Sequence, residues 1–153
     1  MAAADLRAQV VAEARSWKGT HVRRGGRQKG IEADCVGVAM LTGVALGVLT
    51  EPEWAALAKE GKYGLLPNPR HLEEALRSCM LPVARADALP GDVCRFELSP
   101  GSGGMHLGVL AWFENRLTII HASGEQPTNV LEVTFSTIWT RLAVDFWRYP
   151  GLA

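Results

Sequence analysis

The stretch "DCVGVAMLTGVALGVL", residues 34–49, constrains the fold more than any other part of the chain. From Val36 to about Leu49 it is apolar nearly all round a helical wheel. A helix formed there must be central and buried, with no wet face. Gly37, Gly43 and Gly47 weaken it intrinsically, so close packing by neighbouring elements has to hold it. It falls short of the roughly 20 residues needed to span a bilayer. The expectation is a soluble domain wrapped around one buried helix.

The head of that helix carries chemistry. Asp34 is a favoured N-cap, and its carboxylate can accept the backbone N–H of Gly37. Cys35 follows directly, so its sulfur falls in the first turn. Unpaired N–H groups and the positive dipole end favour a thiolate there. The charge of Asp34 opposes this, although as a cap it is partly spent on backbone N–H groups. On frequency alone, a cysteine in an apolar helix is inert core.

Length and charge narrow the field. The 153 residues suit one domain, residues 1–153, and 48% hydrophobic residues can supply its core. Lys plus Arg and Asp plus Glu are 16 each, so no basic surplus draws the chain to nucleic acid or an anionic membrane. The N-terminal "MAAADLRAQVVAEARSW" is interrupted by Arg7, Glu13 and Arg15 and does not read as a signal peptide. Synthesis in the cytoplasm is expected. Cys35, Cys79 and Cys94 are an odd set at irregular spacing, which suits neither a disulfide framework nor a zinc site.

Residues 3 to 16 read as a helix, with Leu6, Val10, Val11 and Ala14 at helical spacing. "WKGTHVRRGGRQKGIEA" reads as a loop, with "RRGGRQK" a solvated surface turn. "TEPEWAALAKEG" and "NPRHLEEALRS" read as helices capped by Thr50 and Asn68, the second with Pro69 at its first position. Past residue 80 the pattern changes. "LPVARA" is extended and "LPGD" is a turn. "VCRFEL", "MHLGVLAWF", "RLTIIHAS", "NVLEVTF" and "RLAVDFWRYPG" read as strands, with Glu114–Asn115 a tight hairpin turn. Helices followed by an antiparallel sheet make an α+β domain.

A nucleophilic thiol needs a base. His106 opens one arm of the predicted hairpin and His121 lies near the end of the other. If the arms pair about Glu114–Asn115, residues whose numbers sum to about 229 face each other. The two histidines then become near neighbours, as base and as the group orienting the base. Taken singly, each is more often a structural histidine. Cys79 and Cys94 sit in apolar settings and read as core. His71 reads as the exposed side of a short helix, and His21 is ambiguous. No carboxylate or thiol at ligand spacing supports a metal on His106 and His121.

In order along the chain, "WKGT", "KGIEADCVG", "LPGDVCRF", "MHLGVL" and "IIHAS" resemble the NlpC/P60 cysteine peptidases, most of all their phage-tail and gene-transfer-agent branch. The resemblance covers nearly the whole chain. It implies a papain-like core in which N-terminal helices, the Cys helix among them, pack on a small antiparallel sheet. It makes Cys35 the nucleophile, His106 the general base and His121 the orienting residue. It implies hydrolysis of peptidoglycan stem peptides, often between D-γ-glutamate and a diamino acid, with no metal or organic cofactor. Two departures touch the substrate side: Val36 stands where the family often has Ser, and His21-Val22 where it has Pro-Tyr. With Asp34, these positions are the candidate substrate contacts.

On this reading Cys35 and His106 form a thiolate–imidazolium pair. The partners are a peptidoglycan peptide and, by the branch resembled, phage-like tail proteins, with no nucleic acid and no membrane. The site of action is the cell wall or a tail particle. Two alternatives stay open: a CHAP-type wall amidase, which shares the order Cys then His, and a non-catalytic tail-assembly protein on a decayed peptidase fold.

Overall fold

The computed structural model describes residues 2–50, 69–101, 103–126 and 128–152. The expected helix over "TEPEWAALAKEG", beyond Thr50, and the Asn68 cap lie outside the described residues.

Helix α1 (Ala3–Arg15) buries Val10, Val11 and Ala14 against the main core. The glycine-rich segment after it is not the plain loop expected. It folds into three two-residue strands, β1 (His21–Val22), β2 (Arg27–Gln28) and β3 (Glu32–Ala33), in the order β1-β3-β2. Strands this short carry no period-two pattern, so backbone pairing alone defines them. The Val22 N–H donates to Thr128 O at 2.8 Å, tying this small sheet to the far end of the chain.

Helix α2 spans Cys35–Ala45. Its close packing is as expected: a Cβ on Gly37 would meet Gly26 O at 2.6 Å, and one on Gly43 would meet Leu49 at 2.7 Å. Its end is earlier than the apolar run suggests. Gly47 takes φ +69, its N–H donates to Val44 O, and the Val48 N–H donates to Gly43 O. That is a Schellman stop, which a glycine at this position makes cheap whatever the hydropathy beyond it.

Helix α3 (Pro69–Cys79) begins at the expected proline. His71 on it is half-buried, not exposed as expected. Then come β4 (Leu81–Val83), one 3₁₀ turn (Arg85–Asp87), β5 (Val93–Phe96), β6 (His106–Phe113), β7 (Arg116–Ala122) and β8 (Val130–Thr134). A short helix, α4 (Thr137–Leu142), precedes β9 (Ala143–Arg148), so the expected last strand gives its first two residues, Arg141 and Leu142, to that helix. The strands form one antiparallel sheet in the order β4-β9-β5-β6-β7-β8. Glu114 and Asn115 both take positive φ, 48° and 62°, as a type I′ hairpin turn demands. Gly108 pairs with His121, so paired numbers sum to 229 as the turn position implied.

Alternation along the strands divides the apolar residues between two faces. Leu107, Val109 and Ile120 join Val10, Val38 and Met40 in the core beneath α1 and α2. Phe96, Leu110, Ile119 and Phe146 form a second cluster, against which Trp139 and Leu142 of α4 pack. The "LPGD" turn is locked by Asp92, whose carboxylate is fully buried. It accepts from Arg7 at 3.1 Å, from Arg148 at 2.9 and 2.7 Å, and from the Leu89 N–H at 2.9 Å. A charge so placed survives only because it is paired on several sides. It joins α1 and β9 to the strand that pairs with β6.

Candidate active site

Asp34 caps α2 as expected, with extended backbone and Oδ1 accepting the Gly37 N–H at 2.7 Å. The carboxylate does more than cap. Oδ2 accepts the Gly25 N–H at 2.9 Å, and Arg27 donates to Oδ1 at 2.5 Å and to Gly26 O at 2.9 Å. "RRGGRQK" is therefore not wholly a solvated turn. Arg27 turns inward and its loop is clamped under the head of the Cys helix. Asp34, a candidate substrate contact, has both oxygens engaged within the protein and is 7% exposed.

Cys35 is half-buried at the first turn of α2. Its Sγ donates to Met105 O at 3.9 Å, the carbonyl just before His106, so the sulfur lies beside the backbone that carries the imidazole. His106 Nε2 is 2.9 Å from His121 Nδ1, with the rings nearly perpendicular and their centroids 5.1 Å apart. The hairpin register delivers this contact, since His121 sits opposite Gly108, two residues along from His106. Nδ1 of His106 is the ring atom the pair leaves for proton exchange.

The electrostatics differ from the expected ion pair. Burial, and then the charge of Asp34, push the Cys35 thiol up to about 11; the N–H groups of Leu107 and Val36 and the charge of Arg27 pull it back only in part. Burial, and then the proximity of His121, push His106 down to about 3, and burial pushes His121 down to about 4. The order is wrong for a thiolate–imidazolium pair. Among the described residues the sulfur's hydrogen bonds are with backbone, to the Met105 carbonyl and from the Leu107 and Val36 N–H groups, and none with an imidazole nitrogen is seen. Burial and the neighbouring acid favour the neutral thiol, and burial favours the neutral imidazoles.

The other candidates fall as follows. Val36 is 8% exposed within the main core. Val22 is half-buried and packs against that core, while His21 is exposed and bridges Asn129. Cys79 and Cys94 are buried, and burial raises the Cys94 thiol strongly. Two residues at the site escaped the sequence reading. Arg27 lay in a basic run that looked solvated. Trp139 of α4, 4.7 Å from the His121 ring, belongs to no motif. Among the described residues no group of three or more His, Cys, Asp or Glu is placed to hold a metal, and no helix is long and apolar enough to cross a membrane.

No family model and no curated protein matches this chain. Solved structures do. A crystal structure from Staphylococcus aureus subsp. aureus Mu50, similar to lipoprotein and of the NLP/P60 family, is 16% identical with a TM-score of 0.62 over 96% of this chain and 42% of that one. NlpC1 from Trichomonas vaginalis is 16% identical with a TM-score of 0.65 over 94% and 44%. The chain thus spans less than half the length of either. The α+β architecture, helices packed on a small antiparallel sheet, is the NlpC/P60 fold.

Proposed function

We propose that the protein is a cysteine peptidase that hydrolyses peptide bonds in peptidoglycan stem peptides. The observation that carries this is the 2.9 Å contact of His106 Nε2 with His121 Nδ1, together with a thiol at the head of the central helix whose Sγ lies 3.9 Å from the carbonyl of Met105, the residue before His106. The motif order of the sequence supports the D-γ-glutamyl–diamino acid bond as target and carriage on a phage-like tail. The wall is then the site of action.

A neutral pair works by general-base catalysis. As the Cys35 sulfur bonds to the scissile carbonyl carbon, its proton passes to His106. Collapse of the tetrahedral adduct breaks the C–N bond, and His106 returns that proton to the leaving amine. Water then adds to the thioester with His106 as base, releasing the acid and the thiol. His121 holds the ring of His106 throughout.

Incubation with purified peptidoglycan, with the new amine and acid identified by mass spectrometry, tests the reading. Release of a stem-peptide fragment by the wild type and not by Cys35→Ala is the expected result. A new amine on the residue that was joined to the sugar's lactyl group would instead mark an amidase of the CHAP type. A second reading has its own support: the raised thiol and its bond to a carbonyl suit a non-catalytic domain on a peptidase fold. No fragment from wall of any stem composition would favour it.

A further inference from the structure

Trp139 stands on α4, a six-residue helix that contributes none of the sequence motifs. Its indole meets the His121 ring at 4.7 Å and 65°, Phe96 at 5.0 Å and 76°, and His106 at 6.5 Å and 32°. Phe96 lies 6.2 Å from His106, so the imidazole pair is flanked by two aromatic groups that also pack on each other. Trp139 and His106 are half-buried and His121 is 7% exposed, so the indole against the His121 ring covers the more deeply buried member of the pair. The helix is anchored: Arg85 donates to Thr140 O at 3.0 Å and to Ala143 O at 2.8 Å, and the Glu97 N–H donates to Leu142 O at 2.9 Å.

The direction of the His106–His121 hydrogen bond decides whether His106 is a base. If His106 Nε2 carries the proton and His121 Nδ1 accepts it, His106 Nδ1 has a free lone pair. If the bond runs the other way, His106 Nδ1 carries the proton and cannot take one from a thiol. Water reaching the pair would compete for both nitrogens and mix the two arrangements. Edge-to-face packing fixes ring orientation, and a dry site makes the mutual bond the best available.

We propose that Trp139 is a positioning residue for the His106–His121 pair, fixing the His121 ring and keeping water off the bond between them so that one tautomer of His106 prevails. The peptidase role of that tautomer rests on the function proposed above; the hydrogen bond itself does not.

The test is ¹⁵N–¹H imidazole NMR at pH 7 on wild type, Trp139→Ala and Trp139→Phe, with stem-peptide hydrolysis measured alongside. In the wild type His106 shows one tautomer, protonated at Nε2, and that proton exchanges slowly with water. In Trp139→Ala the nitrogen shifts move toward a tautomer average and exchange quickens at least about tenfold. Phe restores both. On the peptidase reading kcat falls about 10- to 100-fold in the Ala variant with KM little changed, as expected when a supporting group is lost. If Trp139→Ala does not fold, Trp139→Leu, which keeps apolar bulk without a flat ring, is read in the same way. Unchanged nitrogen shifts and exchange in the folded variant would overturn the proposal. Wall hydrolysis absent from the wild type would overturn the peptidase reading and leave the NMR result to decide the positioning one.

Discussion

Arg27 and Asp34 form an ion pair at 2.5 Å, one residue from the Cys35 thiol. The pair is mostly enclosed, with side chains 20% and 10% exposed. Its charges act on the sulfur in opposite directions, Asp34 raising the thiol and Arg27 lowering it. Asp34→Asn keeps an amide oxygen able to cap α2, because Asn caps as well as Asp. It removes the negative charge and leaves the positive charge of Arg27 acting on the thiol. The Cys35 thiol should therefore become more acidic and alkylate faster with iodoacetamide at pH 7.5, by about tenfold for each unit its pKa falls, less the lower nucleophilicity of a weaker base. Arg27→Gln should slow the same reaction. Peptide mapping separates Cys35 from Cys79 and Cys94. Slower labelling in Asp34→Asn would mean that the helix head had come apart.

The wild-type thiol should itself ionise only well above the ordinary thiol range. Alkylation of Cys35 should rise about tenfold per pH unit and level off only near 11, where the thiol ionises. A plateau of reactivity at or below pH 6 would require a preformed thiolate–imidazolium pair.

Stability should follow pH on both sides of neutrality. His106 and His121 stay neutral in the fold, well below the ordinary 6.5 of an imidazole. As pH falls below about 6.5 the unfolded chain takes up protons that the folded one refuses, so stability is lost progressively toward pH 4 and then 3. Cys35 is shifted upward, from 9.0 to about 11. The unfolded chain therefore loses that proton first, and stability falls as pH rises from 9 to 11. Melting temperature against pH should be flattest between these limits. The acid slope should lessen in His121→Gln, which removes one of the two refused protons. An unchanged acid slope would mean that His121 is not kept neutral by the fold.

Much of this was legible in the sequence because the relevant signals are local. A Glu-Asn pair between two alternating strands sets a type I′ turn, and the turn sets the register that brings His106 to His121. An Asp before an apolar run sets a cap. The unread parts have no local signal. The Arg27–Asp34 pair depends on two-residue strands that pair β2 with β3, and nothing in "RRGGRQK" distinguishes an inward arginine from a solvated one. Helix α4 is too short to show a period, so nothing in the sequence marks Trp139. The burial that favours neutral histidines comes from the Phe96–Trp139 aromatic cluster, which forms only once α4 packs on that face of the sheet.

Asp92 tests the scaffold apart from the chemistry. Its carboxylate is fully enclosed and takes hydrogen bonds from two arginines on different elements. Asp92→Ala leaves both guanidinium groups without that partner and frees the Leu89 N–H. Breaking a buried pair by removing one member costs about 3–5 kcal/mol. In a domain of this size that lowers Tm by roughly 6–20 °C. Alkylation of Cys35 in the folded variant should be unchanged, since Asp92 is not among the groups that shift its thiol. A melting temperature within about 2 °C of wild type would show that solvent relaxes around the arginines and that the turn needs no charge.

His121 carries the sharpest test of the site. The atom facing His106 Nε2 is Nδ1, not Nε2. An Asn side chain puts its amide oxygen close to where an imidazole Nδ1 sits, whereas Gln reaches about one bond too far, near the Nε2 position. His121→Asn should therefore keep an acceptor at the right distance and retain most hydrolysis. His121→Gln should retain less, and His121→Ala should lose about 10- to 100-fold, with KM little changed in all three. His106→Asn should be nearly inactive, because an amide cannot shuttle a proton. Steady-state kinetics on a synthetic stem peptide separates these cases. Full activity in His121→Ala would make His121 a structural residue, and the orienting group would lie elsewhere. An active His106→Asn with a dead His121→Asn would exchange the two roles. The order Asn above Gln above Ala is specific to an acceptor at Nδ1, and neither a purely steric role nor a proton-carrying one for His121 produces it.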